Sequence, residues 1–395
     1  MDIQVRIRET TMQQESYMIR MRRYFHENPE LGMKERNTFM TITKELDALG
    51  IPYTKAGEYG IIARLDSQRP GKTLLIRSDM DALPIQESPD NLNGSRTCLS
   101  KTDGISHLCG HDGHLAIALG TIRILHELKD EWNGTVLFCF EQAEEHGGGI
   151  DTMLECLQAY KIDYSYATHL YAALDSNTVS VQEGPRMASV AGYTIRVTGK
   201  GGHGSRPDLC RNPAGCIVDI LSLIPGMMKA RLNPAYPVVF SVGEIKVGTK
   251  GNIIATDGYF SGTLRYFNYE AGVKAMDLIT DVAQKTAAIH GCSISFDRKI
   301  VTDSAVINDP ELSATAKKAV EAVDGLTAVT CDPWYATESF GRYQQRYPGV
   351  LALVGIKNSN AGSGAEHHNP YFDIDESTLR LAAEATVRFA YNLLH

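Results

Sequence analysis

The octapeptide HLCGHDGH, residues 107–114, places metal-binding residue types close together. Cys109 and His111 are separated by one glycine, so a short loop can present both side chains to one ion. A thiolate and an imidazole both suit zinc or a neighbouring transition metal. The alternative is a buried cysteine beside a polar turn, with Asp112 capping the next helix. His114 is expected to cap or support the first turn of that helix rather than bind the ion. The pattern favours a metal site over that alternative.

A pair of adjacent glutamates, Glu144 and Glu145, follows the apolar run TVLFCF and precedes HGGG. Neighbouring residues on a loop point in different directions, so one carboxylate can bind an ion while the other takes a proton from water. A metal lowers the pKa of bound water from about 15.7 to about 7, and a nearby carboxylate can then act as general base. An isolated glutamate pair is more often a solvated loop, but the strand-end position and the flexible glycines favour a site.

Three more segments carry candidate ligands or supporting groups. His169 ends the apolar stretch YSYATH, where a buried core histidine is the alternative. His367 and His368 precede a proline turn, and the residues alone do not decide which of them would bind metal. Asp81 in SDMDALP can orient a ligand, or serve as a turn aspartate before Pro84.

The composition excludes some classes of partner. The chain has 395 residues, 43% of them hydrophobic, and a formal charge of −8 without a basic block. Nucleic acid and anionic membrane surfaces are therefore not expected as partners. The eight cysteines are scattered rather than arranged as a disulfide scaffold. The charged N-terminus shows no signal segment, and no apolar run approaches the length of a membrane helix, so we expect a cytoplasmic protein.

The elements that would position these residues alternate between strands and helices. Apolar strands are predicted at KTLLIRSDMDAL, TVLFCFEQAEE, YSYATHL and PGVLALVG, with amphipathic helices at ERNTFMTITKELDALGI and HLAIALGTIRILHELKD. This alternation predicts an α/β fold with a mostly parallel sheet and helices on both faces. Such sheets form sites at the carboxyl ends of their strands, where the polar clusters above are predicted to meet in one cleft.

The middle of the chain has a different order of elements. From residue 188 to 302 the patterns predict β-α-β-β-α-β, the ferredoxin-like α+β plan. We therefore expect an inserted domain at 188–302 that divides the catalytic domain into segments 1–187 and 303–395.

Taken together, the motifs resemble those of the binuclear metallo-aminoacylases and carboxypeptidases. The chain is most similar to their amidohydrolase branch, which contains the hippurate hydrolases and the indole-acetyl-amino-acid hydrolases. The resemblance runs nearly end to end, through RRYFHENPELGMKE (22–35), IRSDMDALPI (76–85), HLCGHDGH (107–114), GTVLFCFEQAEEHGGG (134–149), ATHLY (167–171), VTGKGGHGSRP (197–207), GTLR (262–265) and HNPYFDIDE (368–376).

The resemblance implies roles position by position. The metal ligands would be Cys109, which bridges two ions, with His111, Glu145, His169 and His368; the register of HNP favours His368 over His367. Glu144 would be general base and acid, with Asp81 as the orienting carboxylate. The inserted domain would be a lid and dimerisation domain, in which Asn252 and Arg265 hold the substrate carboxylate and His203 reaches the partner subunit's site to polarise the scissile carbonyl.

Three positions depart from the wider family. Asp79 stands where the wider family has histidine, although the amidohydrolase branch shares the aspartate. Ala255 in GNIIA replaces a proline, and Ser339 in ATESF replaces an aspartate while Glu338 is kept. The metal-ligand set is intact, whereas the changes at Ala255 and Ser339 bear on substrate preference.

These observations predict a metal-dependent amidohydrolase that cleaves N-acyl-amino acids or similar small amides and works as a homodimer. The cofactor would be two divalent ions per subunit, Mn²⁺ or Zn²⁺ ahead of Ni²⁺ or Co²⁺. One alternative is a dipeptidase, carboxypeptidase or aryl-amine hydrolase on the same scaffold. The other is a non-catalytic metal or redox sensor that uses Cys109 as a reactive thiol, and the Glu144–Glu145 pair argues against it.

Overall fold

The structure, a computed structural model, describes residues 2–395 and contains helices and strands throughout this range. Its α-helices are α1 (Ile3–Glu27), α2 (Arg36–Ala48), α3 (His111–Glu127), α4 (Ile150–Cys156), α5 (Pro213–Arg231), α6 (Tyr269–Ile289), α7 (Pro310–Glu321), α8 (Phe340–Gln344) and α9 (Ser377–Leu394). Short 3₁₀ helices lie at Lys129–Glu131, Glu144–His146, Leu157–Ala159 and Pro207–Leu209.

The strands follow the same chain order. They are β1 (Tyr53–Ala56), β2 (Gly60–Asp66), β3 (Thr73–Asp79), β4 (Asp90–Asn91), β5 (Gly94–Ser95), β6 (Thr135–Glu141), β7 (Tyr164–Asp175), β8 (Thr178–Ser180), β9 (Gly184–Met187), β10 (Ser189–Thr198), β11 (Gly202–His203), β12 (Val238–Val247), β13 (Ile253–Ile254), β14 (Asp257–Tyr266), β15 (Ser293–Val301), β16 (Val306–Asn308), β17 (Thr327–Ala328) and β18 (Gly349–Lys357).

The chain forms two compact units. The first contains residues 1–186, 307–332 and 342–395, and the second contains 187–306 and 333–341. Two separate sets of buried apolar side chains form their cores.

The first unit is built on an eight-stranded sheet of order β1-β2-β6-β3-β7-β18-β8-β17. The central strands β6, β3, β7 and β18 pair in parallel, and antiparallel pairs occur toward the edges. Strands β3, β6 and β18 are buried at almost every position, as in sheets covered on both faces. The fold is therefore a mixed α/β fold with a large, mostly parallel central sheet, as the sequence predicts.

The first helix was not anticipated. Helix α1 spans 25 residues, although its sequence is charged along its length. Its apolar residues recur on one face, where Ile7, Met18, Met21 and Phe25 are buried. The wide spacing of these residues explains why the sequence pattern did not reveal the helix.

The second unit contains a four-stranded antiparallel sheet of order β12-β14-β10-β15 with helices α5 and α6. Its element order is β-α-β-β-α-β, apart from the short strands β11 and β13. Both helices contribute to its apolar core. Strands β12 and β15 form the two edges of the sheet.

Helix α5 corrects one expectation from the sequence. Within residues 2–395 it is the one helix long and apolar enough, by length and composition alone, to cross a membrane. One face packs into the core of the second unit through Cys216, Ile217, Ile220 and Ile224. The opposite face carries exposed apolar side chains, among them Val218 and Leu223. The helix is thus apolar on both faces, and this explains why its composition resembles that of a membrane-spanning helix.

Candidate metal centre

The predicted metal ligands of the first unit lie close together. Ligand atoms of Cys109, His111 and His169 lie within 4.8 Å of one another, as do those of Cys109, Glu145 and His368. Only Cys109 belongs to both groups. Two further groups in the described residues combine Asp79 with His111 and His114, and His111 with Glu144 and Glu145.

Local structure explains how Cys109 and His111 come together. Gly110 has a left-handed conformation (φ 90°) and forms the N-terminal boundary of α3, so His111 is the first residue of the helix. The predicted capping role of Asp112 is therefore wrong. The Asp112 side chain is instead fully buried against Arg22 and His26.

The tautomers of the two buried histidines suit metal binding. His111 donates a hydrogen bond from Nδ1 to the carbonyl of Asp81 at 2.8 Å. His169 likewise donates from Nδ1 to the carbonyl of Leu170 at 2.7 Å. In both rings Nε2 remains as the ligand atom, the arrangement common among metal-bound histidines. The Nε2 atom of His169 is 3.9 Å from Sγ of Cys109.

His169 lies inside a strand rather than at its end. Strand β7 continues to Asp175 because β18 pairs with it in parallel over most of that length. The predicted strand end is therefore wrong, although the histidine still joins the cluster.

The two adjacent C-terminal histidines have different environments. His368 has a positive φ of 61° and places Nε2 3.4 Å from Oε1 of Glu145. Nε2 of His367 accepts the backbone N–H of Ala172 at 3.2 Å. His367 belongs to none of the ligand groups formed by the described residues. The geometry thus favours His368, in agreement with the register of the HNP motif.

Orphaned buried atoms support the fit of a metal to this set. Nε2 of His111 and Oε1 of Glu145 are both buried, make no hydrogen bond within residues 2–395 and lie 3.7 Å apart. Buried polar atoms without hydrogen bonds are rare and call for an ion or water. The donors are thiolate, imidazole and carboxylate, which suit zinc and its neighbours.

His114 is bound on both ring nitrogens and is therefore a supporting residue. Nδ1 donates to Asp79 Oδ1 at 2.6 Å, and Nε2 accepts the N–H of Leu170 at 2.8 Å. Asp79 also accepts from Nη1 of Arg77 at 2.7 Å. Where the wider family has a histidine, Asp79 thus ties β3 to the first turn of α3.

The electrostatics of the cluster favour a cation. Burial opposes protonation of His111, but Asp79 and Asp81 raise its pKa well above the usual value. Burial and the nearby His114 lower the pKa of His169 to about 3, which keeps that ring neutral. Burial and Glu145 raise the pKa of the Cys109 thiol well above its usual value. A bound cation would compete with these protons, since metal-bound thiols are deprotonated.

Asp81 positions the glutamate pair directly. Its Oδ1 accepts the backbone N–H of Glu144 at 3.0 Å, and its Oδ2 accepts that of Glu145 at 3.1 Å. The two glutamates begin a 3₁₀ turn that immediately follows β6. The sequence indicated a supporting role for Asp81, but not that it binds the glutamate turn as well as His111.

Arg77 is a site residue that the sequence did not reveal. Its side chain is fully buried, donates to Glu141 at 2.8 Å and lies 4.0 Å from Oε1 of Glu144. Tyr343 also donates to Glu141, at 3.0 Å. An arginine inside the apolar strand TLLIRSD was the available signal, because a buried arginine needs carboxylate partners.

The remaining predicted site residues belong to the second unit. His203 is the second residue of β11, Asn252 directly precedes β13, and Nδ1 of His203 is 2.8 Å from Ser205 Oγ. Arg265 lies on β14, where it is half-buried and donates to Thr337. Glu338 is buried and accepts the N–H of Phe340, while Ser339 donates to Glu338. Ala255 follows β13.

Comparisons with known proteins agree with this geometry. The chain is 32% identical over 391 residues to Thermostable carboxypeptidase 2 of Saccharolobus solfataricus, covering 98% of this chain and 97% of the relative. It is also 32% identical over 382 residues to the N-acetylcysteine deacetylase of Bacillus subtilis, covering 95% and 97%.

A solved structure and a family model complete the comparison. The Bacillus subtilis YXEP protein, described as a dinuclear metal binding peptidase, superposes with a TM-score of 0.82 at 30% identity, over 95% of this chain and 97% of that one. Residues 75–392 match the model of Peptidase family M20/M25/M40. With the metal-ligand cluster and the mixed α/β fold, these matches show that the chain belongs to this family of hydrolases.

Proposed function

We propose that this protein is a metal-dependent amidohydrolase that cleaves the amide bond of N-acyl-amino acids. The observation that supports this most directly is the convergence of Cys109, His111, Glu145, His169 and His368 next to a second carboxylate, that of Glu144. A ligand set alone suits many metalloproteins, whereas a second carboxylate beside it suits hydrolysis by activated water.

We assign one ion position to each of the two ligand groups that share Cys109. Cys109, His111 and His169 would hold one ion, and Cys109, Glu145 and His368 the other. The ions would be Mn²⁺ or Zn²⁺, with Ni²⁺ or Co²⁺ also suited to this set. When bound, they would lower the pKa of water and polarise the substrate carbonyl.

The side chains around these positions divide the remaining work. Glu144 takes the proton of the attacking water and delivers it to the departing amine. The Asp81 carboxylate holds Glu144 in place by accepting the backbone N–H of Glu144. The backbone carbonyl of Asp81 orients His111 by accepting from Nδ1 of that ring. Arg77 places positive charge 4.0 Å from Oε1 of Glu144, on the side of the glutamate turn that faces β3 and β6 through Asp79 and Glu141.

The lid would supply substrate contacts. We assign residues 188–302 as a lid and dimerisation domain inserted between catalytic segments 1–187 and 303–395. Asn252 and Arg265 would bind the amino-acid carboxylate, and His203 would polarise the scissile carbonyl in the partner subunit. Losing one such donor to a developing oxyanion costs about 3–4 kcal/mol. The exposed imidazole of His203 is available for this contact.

The nature of the substrate rests on the relatives. N-acetylcysteine deacetylase indicates an N-acylated amino acid, whereas the name Thermostable carboxypeptidase 2 supports the alternative of peptide cleavage. Both reactions break an amide bond adjacent to a free carboxylate, so the lid pocket would separate them. The redox-sensor alternative loses support, because burial raises the pKa of the Cys109 thiol and thereby suppresses its thiolate.

The deciding experiment measures amine release from acetyl-, benzoyl- and indole-acetyl-amino acids and from dipeptides. Chelator-stripped enzyme is assayed with and without added Mn²⁺ or Zn²⁺. Metal-dependent cleavage of acyl-amino acids supports the proposal, and cleavage of dipeptides alone would favour the peptidase alternative. No cleavage despite two bound ions would overturn it.

The matched variant is Glu144→Gln. It should reduce kcat by at least about 10³-fold while two ions stay bound, because it removes the proton acceptor of the attacking water and leaves both ligand groups that share Cys109 intact. Metal content is measured on the same sample. Near-normal turnover by this variant would refute the role of Glu144.

A further inference from the structure

The N-terminal motif NPELGMKE packs directly on the turn that carries Glu144 and Glu145. Nε2 of Gln142 donates to Sδ of Met33 at 3.0 Å. A Cβ atom added to Gly32 would lie 3.0 Å from Cα of Ala143 and 2.5 Å from His146. The backbone of the motif thus lies close to the turn at this position. We call residues 30–35 the bracket and residues 142–146 the glutamate turn.

One side chain of the bracket binds the backbone of the glutamate turn. Oε1 of Glu35 accepts the N–H of Ala143 at 2.6 Å. The next two amides, of Glu144 and Glu145, are bound by Asp81. The consecutive N–H groups of residues 143–145 thus all donate to two buried carboxylates, those of Glu35 and Asp81. Ala143 has a left-handed φ of 53°, a conformation that a non-glycine residue adopts only when its surroundings hold it.

The geometry of Glu35 is not explained by the helix that it begins. Glu35 occupies the N-cap position of α2 but makes no capping hydrogen bond. Glu30 performs that task instead, since its carboxylate accepts the N–H groups of Asn37 and Thr38 at 3.0 and 2.8 Å. Glu35 is thereby free to turn toward Ala143.

The environment of Glu35 is also a poor one for a merely structural carboxylate. The residue is 0% exposed, and its Oε2 atom makes no hydrogen bond within residues 2–395. Burying a carboxylate that is only partly hydrogen-bonded destabilises a protein. A hydrophobic side chain would fill this space at lower cost, so the carboxylate is expected to serve the turn that it binds.

We propose that Glu35 is a positioning residue for the glutamate pair. By accepting the N–H of Ala143, Glu35 keeps this residue in the left-handed conformation with which the glutamate turn begins. This conformation directs Glu145 to its ligand group and Glu144 to the attacking water. Glu35 belongs to none of the ligand groups formed by the described residues. The consequence for catalysis rests on the proposed function, whereas the effect on the turn does not.

The test compares two substitutions of similar size. Glu35→Gln keeps an oxygen that can accept from Ala143, and Glu35→Met fills the space without an acceptor. In metal-free protein, Glu35→Met should speed amide hydrogen exchange at Ala143 at least about tenfold. In metal-loaded enzyme, it should lower kcat about 10–100-fold with KM within about twofold, as for other residues that orient ligands. Glu35→Gln should stay within about threefold of the wild type in both measurements.

Glu30→Ala is the matched control in the same bracket. It removes the capping of α2 and should lower the melting temperature, but it should leave kcat and exchange at Ala143 unchanged. An equal loss of kcat in Glu30→Ala would show that general destabilisation is responsible and would overturn the proposal. A folded Glu35→Met enzyme with wild-type exchange and kcat would also overturn it.

If Glu35→Met does not fold, Glu35→Gln decides, because a tenfold loss of kcat in this folded variant contradicts a role as hydrogen-bond acceptor and retained kcat supports it. If the wild type cleaves no substrate, the proposed function fails, while exchange at Ala143 still decides the role of Glu35.

Discussion

At the scale of single residues, the side chains of the site differ in how many ligand groups or hydrogen bonds they take part in. Cys109 occurs in both ligand groups that define the proposed ion positions, whereas His368 occurs in only one. Asp81 binds two successive backbone amides and the Nδ1 side of His111. The chemistry of the site is thus concentrated in a few side chains with several partners each.

Metal stoichiometry should reveal this difference between ligands. Cys109→Ser should weaken the binding of both ions and leave fewer than one ion per chain after dialysis. His368→Ala should leave one ion, because the group of Cys109, His111 and His169 remains complete. Metal analysis at equal free Zn²⁺ or Mn²⁺ checks this. Equal loss in the two variants would contradict a bridging role for Cys109.

A second prediction at this scale concerns the pH dependence of stability. Burial raises the pKa of Glu35 to about 7, above its unfolded value. The unfolded chain therefore ionises first at this residue as pH rises, and the contribution of Glu35 to stability should fall by about 1.4 kcal/mol per pH unit between about pH 4.5 and 7. Glu35→Gln lacks this titration. As the pH rises through this range, the melting temperature of Glu35→Gln should increase relative to that of the wild type. Parallel plots of melting temperature against pH would contradict the raised pKa of Glu35.

At the scale of elements, buried ion pairs connect α1 to α3. Arg22 on α1 donates to Asp112 on α3 at 2.9 Å and to Asp373 at 3.0 Å. His26, one turn later, lies between Asp112 and Glu87, at 2.8 and 2.9 Å. Because Asp112 follows the candidate ligand His111, this network anchors the start of the helix on which the site depends.

The network predicts a specific pH effect for His26. Burial and Arg22 oppose its protonation, but Asp112 and Glu87 raise its pKa above the unfolded value. Its stabilising contribution is then fully present below about pH 6.5 and is lost as pH rises through the folded pKa. His26→Gln should cost about 3 kcal/mol at pH 6, with a smaller cost at pH 9.

Thermal melts at several pH values test this, with His126→Gln as control. Burial lowers the pKa of His126, so protonation favours its unfolded state. His126→Gln should therefore help most at low pH, which is the opposite trend. The same pH trend in both variants would contradict the role of the buried network.

At the scale of the whole molecule, the second unit exposes apolar side chains on α5 and on its edge strand β12. Val218 and Leu223 on α5 and Val239 and Ile245 on the edge strand β12 are 43–61% exposed. Exposed apolar groups beside an open sheet edge are typical of interfaces. We therefore expect a second copy of this chain to cover this surface, as the proposed role of His203 requires.

Sedimentation analysis should report twice the chain mass of 43.4 kDa for the wild type. Leu223→Glu should shift the mass toward the monomer, because a charge would be buried without a partner. Ile289→Glu, on an exposed apolar residue at the end of α6, should leave the mass unchanged. A monomeric wild type, or equal effects of both variants, would contradict this interface.

Much of the fold followed from local patterns in the sequence. Strands β3 and β6 and helix α2 lie where apolar periodicity predicted them, and helices α5 and α6 take the two helix positions of the predicted β-α-β-β-α-β order. These signals are short-range, because side-chain direction repeats every two residues in a strand and every 3.6 in a helix. The candidate ligands were also found by residue type and spacing, helped by the resemblance to a known family.

What only the tertiary structure decided depends on contacts between distant segments. The roles of Arg77 and Glu35 follow from partners 64 and 108 residues away. The contact of His368 with Glu145 likewise joins distant segments, although the resemblance had already favoured His368. Local patterns do not encode such pairings, because strand order and turn packing bring these groups together. The sequence by itself thus determined the elements and the chemistry available, and the packing decided which groups meet and which atoms remain for a metal.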